Sequence, residues 1–120
     1  SILDFLRRHG IPHRETQDLD GSLKDADAVY MTRIQDEHDK AGESGGVDYS
    51  PFHLNRRRMT LLPGHAVVLH PLPRREEIPA ELDEDPRVVV FRQERNGMWI
   101  RAALIAHIFG LEDAVLARTP

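Results

Sequence analysis

Residues 66–74 read Ala66-Val67-Val68-Leu69-His70-Pro71-Leu72-Pro73-Arg74. The first four are apolar with a β-branched centre, and the turn signal Pro63-Gly64 stands just before them, so they predict a buried strand. Proline brings no amide hydrogen to a ladder, so Pro71 and Pro73 end that strand abruptly. Ala28-Val29-Tyr30-Met31 is a second apolar run after polar residues and predicts a second buried strand. Val88-Val89-Val90 is a third short apolar segment, and residues 52–54 read as a brief strand.

Helical patterns separate these runs. Residues 2–9 carry Ile2, Leu3, Phe5 and Leu6 at helical spacing, with Gly10 as a left-handed stop. Ser22 is positioned to cap a short helix through about residue 26, and Asn55 to cap another through about residue 61. One helical turn is expected near Ala80. From about Arg92, the residues Met98, Ile100, Ala102, Leu104, Ile105 and Ile108 keep a helical period until Gly110. Strands alternating with helices predict an α/β fold with an open parallel sheet and a long C-terminal helix. Residues 36–50 are polar, contain Gly42, Gly45 and Gly46, and show no apolar period, so a long loop is expected there.

Composition narrows the classes of function. A length of 120 residues fits one domain at most. The net charge of -4 argues against a general nucleic-acid binder. The absence of cysteine removes disulfides, thiolate metal sites and cysteine nucleophiles. No apolar run approaches the roughly 18 residues of a membrane helix. No signal peptide is read, and a cytoplasmic location is the expectation. Ser1 leads straight into a helical pattern, which suggests a piece of a longer protein.

In open parallel sheets, ligands bind beyond the carboxyl ends of the strands. The segments just past the two strands are Thr32-Arg33-Ile34-Gln35 and His70-Pro71-Leu72-Pro73-Arg74. If the first continues its strand, Arg33 and Gln35 point to one side and make a carboxylate site. The plainer reading pairs Arg33 with Asp36 or Glu37 on the surface. The second segment is a stiff turn that offers carbonyls to an ammonium or amide donor, or else a stiff loop and nothing more. His70 is a candidate acid, base or ligand, although a histidine ending a strand is more often a satisfied structural residue. His65 and His70 face opposite sides of a strand and make a poor metal pair. His38, with Asp36, Glu37 and Asp39, reads as a solvated loop, and Arg56-Arg57-Arg58 as a solvated face. No metal site and no cofactor is expected.

Taken in order, Asp27-Ala28-Val29-Tyr30-Met31-Thr32-Arg33-Ile34-Gln35, Val68-Leu69-His70-Pro71-Leu72-Pro73-Arg74, Phe91-Arg92-Gln93 and Asn96-Gly97-Met98 with Arg101, Ala102 and Leu104 resemble the closing part of the aspartate carbamoyltransferases. The resemblance covers residues 23–110. Ornithine carbamoyltransferases, the nearest relatives, carry a cysteine in the second motif and a Ser-Met-Gly type segment, and neither occurs here.

The resemblance implies a Rossmann-like partial domain. Residues 1–91 would be part of the aspartate/ornithine-binding domain. Residues 92–120 would form a C-terminal helix packing on a carbamoyl-phosphate domain outside this chain. The implied reaction transfers the carbamoyl group of carbamoyl phosphate to L-aspartate in pyrimidine biosynthesis. Arg33 and Gln35 would bind aspartate. The backbone of Pro71, Leu72 and Pro73 would receive the amines of aspartate and carbamoyl phosphate, with a cis Leu72–Pro73 peptide. The catalytic residues and the phosphate-binding Ser-Thr-Arg-Thr loop would lie in the other domain, and a neighbouring subunit of a homotrimer would add a loop. Regulatory or other pathway subunits are compatible partners. Two departures stand out: His38 replaces a basic residue common in the family, and the loop after it is rich in Gly and Asp. The chain alone is expected to be inactive. The competing readings are a pseudo-transferase half acting as a binding or structural module, and a sibling transferase for another amino compound.

Overall fold

Two strands, β1 (Ala28–Tyr30) and β2 (Val67–Leu69), run parallel with Ala28 opposite Val67, Val29 opposite Val68 and Tyr30 opposite Leu69. This computed structural model describes residues 1–33 and 48–118. The Val67 amide donates to the Asp27 carbonyl at 3.0 Å, and the Met31 amide to the Leu69 carbonyl at 2.9 Å, so the ladder extends one step past each end. The segment between the strands supplies α3 (Arg56–Met59), as a parallel pair requires a crossover. Preceding β1 are α1 (Ile2–Arg8) and α2 (Leu19–Leu23); following β2 are α4 (Val90–Ile108) and α5 (Glu112–Leu116). The α/β class with a parallel sheet and a long helix is the one the patterning predicts.

Each helix end has a local cause. The Ser1 and Asp4 side chains form a reciprocal capping box at the start of α1. Gly10 takes φ 63° just past that helix and Gly110 takes φ 63° past α4, the left-handed geometry expected at both stops. Asn55 caps α3 by accepting from the Arg58 amide at 2.9 Å. At α2 the cap is Asp18, which accepts from the Gly21 amide at 2.8 Å, and not Ser22. Ser22 lies inside the helix and donates its hydroxyl to the Asp18 carbonyl at 2.8 Å. Residues 52–54 are not a strand: Phe52 ends a 3-10 turn over Ser50–Phe52, and a second such turn spans Ala80–Leu82.

The third apolar segment is shared between a bridge and a helix. Val88 makes a single parallel bridge to Val68, and Val90 is already the first residue of α4. Val68 donates to the Arg87 carbonyl at 2.7 Å and accepts from the Val89 amide at 3.0 Å. The next carbonyl, that of Val89, instead receives the Gln93 amide at 2.8 Å and opens the helix. Packing over the end of β2 therefore overrides the β propensity of three valines.

Val68, Ile78 and Val90 are fully buried, and Leu23, Leu54, Met59 and Leu82 close the core around them. Each such side chain contributes about 1.5–3 kcal/mol by leaving water. Beyond Val90, α4 is different. Met98, Trp99, Ile100, Leu104, Ile105 and Ile108 are all exposed, Trp99 at 62%. Among the described residues, no helix is long and apolar enough to cross a membrane.

Candidate functional site

Because β1 and β2 are parallel and in register, the chain leaves both strands at one edge. Thr32 and Arg33 follow from β1, and His70-Pro71-Leu72-Pro73 follows from β2. Arg33 is half-buried and stands three residues past the last strand residue, so strand alternation does not aim it. Gln35 lies outside the described residues, as do His38 and most of the 36–50 loop.

The turn after β2 has an unusual backbone. Leu72 takes φ 53°, and the Leu72–Pro73 peptide is cis, as the resemblance implied. A left-handed conformation in a residue with a Cβ is unfavourable by about 1–2 kcal/mol, so its surroundings must hold it. They do so through His70. The Leu72 amide donates to His70 Nδ1 at 2.9 Å, and His70 Nε2 lies 2.8 Å from Glu77 Oε1. An amide can only donate, so Nδ1 is the acceptor and the ring proton sits on Nε2, donated to Glu77. The same carboxylate oxygen accepts from the Arg75 amide at 2.9 Å. Burial raises the Glu77 carboxyl, but hydrogen bonds from the Arg75 and Glu77 backbones and from His70 outweigh it and leave the pKa lowered.

Two further ties reach the turn from α4. Gln93 Oε1 accepts from the His70 amide at 2.9 Å, while its Nε2 donates to the Tyr30 hydroxyl at 3.2 Å. One side chain therefore joins the exits of both strands. Arg74 grips Asp83 in a two-pronged ion pair, with Nη2 2.6 Å from Oδ2, and its guanidinium stands 5.5 Å over the Phe91 ring. The Arg74 guanidinium holds the Asp83 carboxyl below its ordinary range. Between the strand ends and α4 lies a hollow of about 490 Å³ whose lining includes Tyr30, His70, Pro71, Arg92, Gln93 and Asn96.

The remaining candidates are separate. His65 pairs with Asp27 at 2.7 Å on the surface, and His70 with Glu77, so the two histidines share no site. His70 is a satisfied structural residue, as a strand-ending histidine usually is. The Arg56–Arg58 triplet is not a uniformly solvated face. Arg58 is largely buried, with Nε 2.7 Å from Asp20 Oδ1 and Nη1 2.6 Å from the His53 carbonyl. Arg57 meets the same aspartate at 2.8 Å, and Arg56 meets Glu81 at 3.3 Å. Arg58, and then Arg57, lower the Asp20 pKa. Among the described residues, no group of three or more acidic or histidine side chains could hold a metal ion. Glu77 carried no signal in the sequence reading, and Gln93 entered it only within the Phe91-Arg92-Gln93 stretch of the resemblance, with no role attached. Glu77 meets His70 only because the proline turn folds back, and Gln93 reaches the site only through the position of α4.

Residues 3–108 match the family profile described as aspartate/ornithine carbamoyltransferase, Asp/Orn binding domain. The chain belongs to this family. Its domain is 42% identical over 110 residues to the multifunctional protein CAD of Squalus acanthias, covering 92% of the chain and 5% of that protein. It is 38% identical over 109 residues to the chloroplastic aspartate carbamoyltransferase of Oryza sativa subsp. japonica, covering 87% of the chain and 29% of the relative. The Trypanosoma cruzi aspartate transcarbamoylase, solved in complex with aspartate and phosphate, superposes with a TM-score of 0.68 at 33% identity. That match covers 87% of this chain and 31% of the solved chain. The domain thus spans about a third of the single-function relatives and a small part of the multifunctional one.

Proposed function

We propose that this chain is the aspartate-binding part of an aspartate carbamoyltransferase. The whole enzyme would move the carbamoyl group of carbamoyl phosphate to L-aspartate, giving N-carbamoyl-L-aspartate and phosphate on the way to pyrimidines. The observation that carries this reading is the parallel register that sets the Arg33 segment and the His70–Pro73 turn at one sheet edge. Relatives named as aspartate carbamoyltransferases support it.

In this reading Arg33 clamps a carboxylate of aspartate with its guanidinium fork, and Gln35 adds a further donor and acceptor. The carbonyls of Pro71 and Leu72 accept from the amines of aspartate and carbamoyl phosphate, while Pro73 keeps the turn rigid. The uncharged amine of aspartate attacks the carbamoyl carbon. A C–N bond forms, the C–O bond to phosphate breaks, phosphate leaves with the electron pair, and the amine releases a proton. This part of the protein contributes positioning. The donors that stabilise the tetrahedral oxyanion belong to the carbamoyl-phosphate domain and to a neighbouring subunit of a homotrimer. We assign the exposed apolar face of α4 to contact with that domain.

The test is product analysis of the full-length protein with carbamoyl phosphate and either aspartate or ornithine, for the wild type and Arg33→Ala. Carbamoyl-aspartate formation is expected, with kcat/KM for aspartate about a hundredfold lower in the variant, the worth of charge-assisted hydrogen bonds. No transfer to either acceptor from folded protein would favour a non-catalytic binding module.

A further inference from the structure

We infer that His70 is a positioning residue for the substrate-facing turn: its unprotonated Nδ1 holds the Leu72 amide, and Glu77 fixes the tautomer that allows it. The inference rests on the transferase reading for its kinetic consequence, though not for its geometry.

The His70 side chain is 0% exposed, and both ring nitrogens are engaged. Its side chain therefore offers no surface to a substrate. What it touches is the turn. Leu72 stands at φ 53° without the freedom of glycine, and its amide ends on Nδ1. A neutral imidazole has one donor and one acceptor, so the acceptor faces Leu72 only while the proton stays on Nε2. Glu77 keeps it there. As a carboxylate it can only accept, and the Arg75 amide pins the same oxygen in place. This is the arrangement by which a carboxylate orients a histidine that serves another group. The His70 backbone is fixed in turn by Gln93, whose other end holds Tyr30. The carbonyls assigned to the substrate amines thus hang on a chain of hydrogen bonds from β1 to Glu77, with the imidazole at its centre.

Two substitutions separate this role from simple core filling. Asparagine places an amide oxygen near the position of Nδ1 and can accept from Leu72. Glutamine places an amide nitrogen near Nε2, so it can donate to Glu77 while leaving Leu72 without an acceptor. In the full-length protein, His70→Asn is expected to keep KM for aspartate within about threefold of wild type, and His70→Gln to raise it about tenfold, the worth of one neutral hydrogen bond. A second readout needs no activity. In Pro71-Leu72-Pro73, Leu72 has the only backbone amide, so its hydrogen exchange can be followed alone. Slow exchange is expected in wild type and His70→Asn, and exchange about tenfold faster in His70→Gln. An inactive wild type with this exchange pattern would defeat the transferase reading and leave the tie standing. An active wild type whose Leu72 exchanges as fast as in His70→Gln overturns the inference. So does equal damage to KM and folding in both variants, because the imidazole would then support the core and not the turn.

Discussion

Leu72 illustrates how far single residues can be read. The pattern Pro-Leu-Pro announces a rigid turn because neighbouring prolines limit the backbone on both sides. It does not announce that Leu72 stands at φ 53°, nor that His70 supplies the acceptor for its amide. Arg33 was legible as a candidate by type and place, since a cation just past a strand in a parallel sheet stands where ligands bind. Glu77 and Asp83 were not, because each is seven or more residues from its partner along an irregular segment. Their titration makes a prediction. Both carboxyls are lowered in the folded chain, Glu77 against burial and Asp83 by Arg74. The unfolded chain therefore binds protons first as pH falls, and the stability they contribute above the ordinary carboxylate values of 4.5 and 3.8 is lost as pH drops through the lower folded ones. Denaturant midpoints measured from neutral pH down through this range should decline, and Asp83→Asn should flatten the decline. An unchanged slope in that variant would show the ion pair to be energetically idle.

Among the elements, caps and stops were the most readable, because they depend on neighbours within a turn of the chain. Asn55, Gly10 and Gly110 act as their residue types suggest. Asn55→Ala should therefore lower stability by about 1 kcal/mol, measured by urea denaturation, with the α3 amide of Arg58 left uncapped. Ser22 misled because Asp18, one turn earlier, is the stronger claim on the same helix start, and both residue types cap well. Val88-Val89-Val90, read only as an apolar segment, divides between a bridge and a helix. Three β-branched residues favour a strand, but only one step of pairing beside Val68 is used before α4 begins. Propensity spoke for each residue, and the geometry above β2 decided between them.

At the scale of the molecule, the core gathers around Val68 while most of α4 presents apolar side chains outward, with Ile108 69% exposed. A patch of this kind marks a contact surface or an aggregation hazard. The 120-residue chain studied alone is expected to self-associate in sedimentation, and its single tryptophan, Trp99, to emit as a solvent-exposed indole in the unassociated species. The pair Leu104→Gln and Ile108→Gln should reduce that association without lowering the midpoint of unfolding, since neither side chain belongs to the buried core. Persistence of the association in this pair would place the sticky surface elsewhere. Periodicity and turn chemistry, which are local, were sufficient for the α/β class, the parallel arrangement and the long helix α4. The meeting of His70 with Glu77, of Gln93 with both strand exits, and of Arg58 with Asp20 was decided only by tertiary structure. Each of these joins residues across an irregular segment or between separate elements, so their contact exists only once the chain has closed on itself.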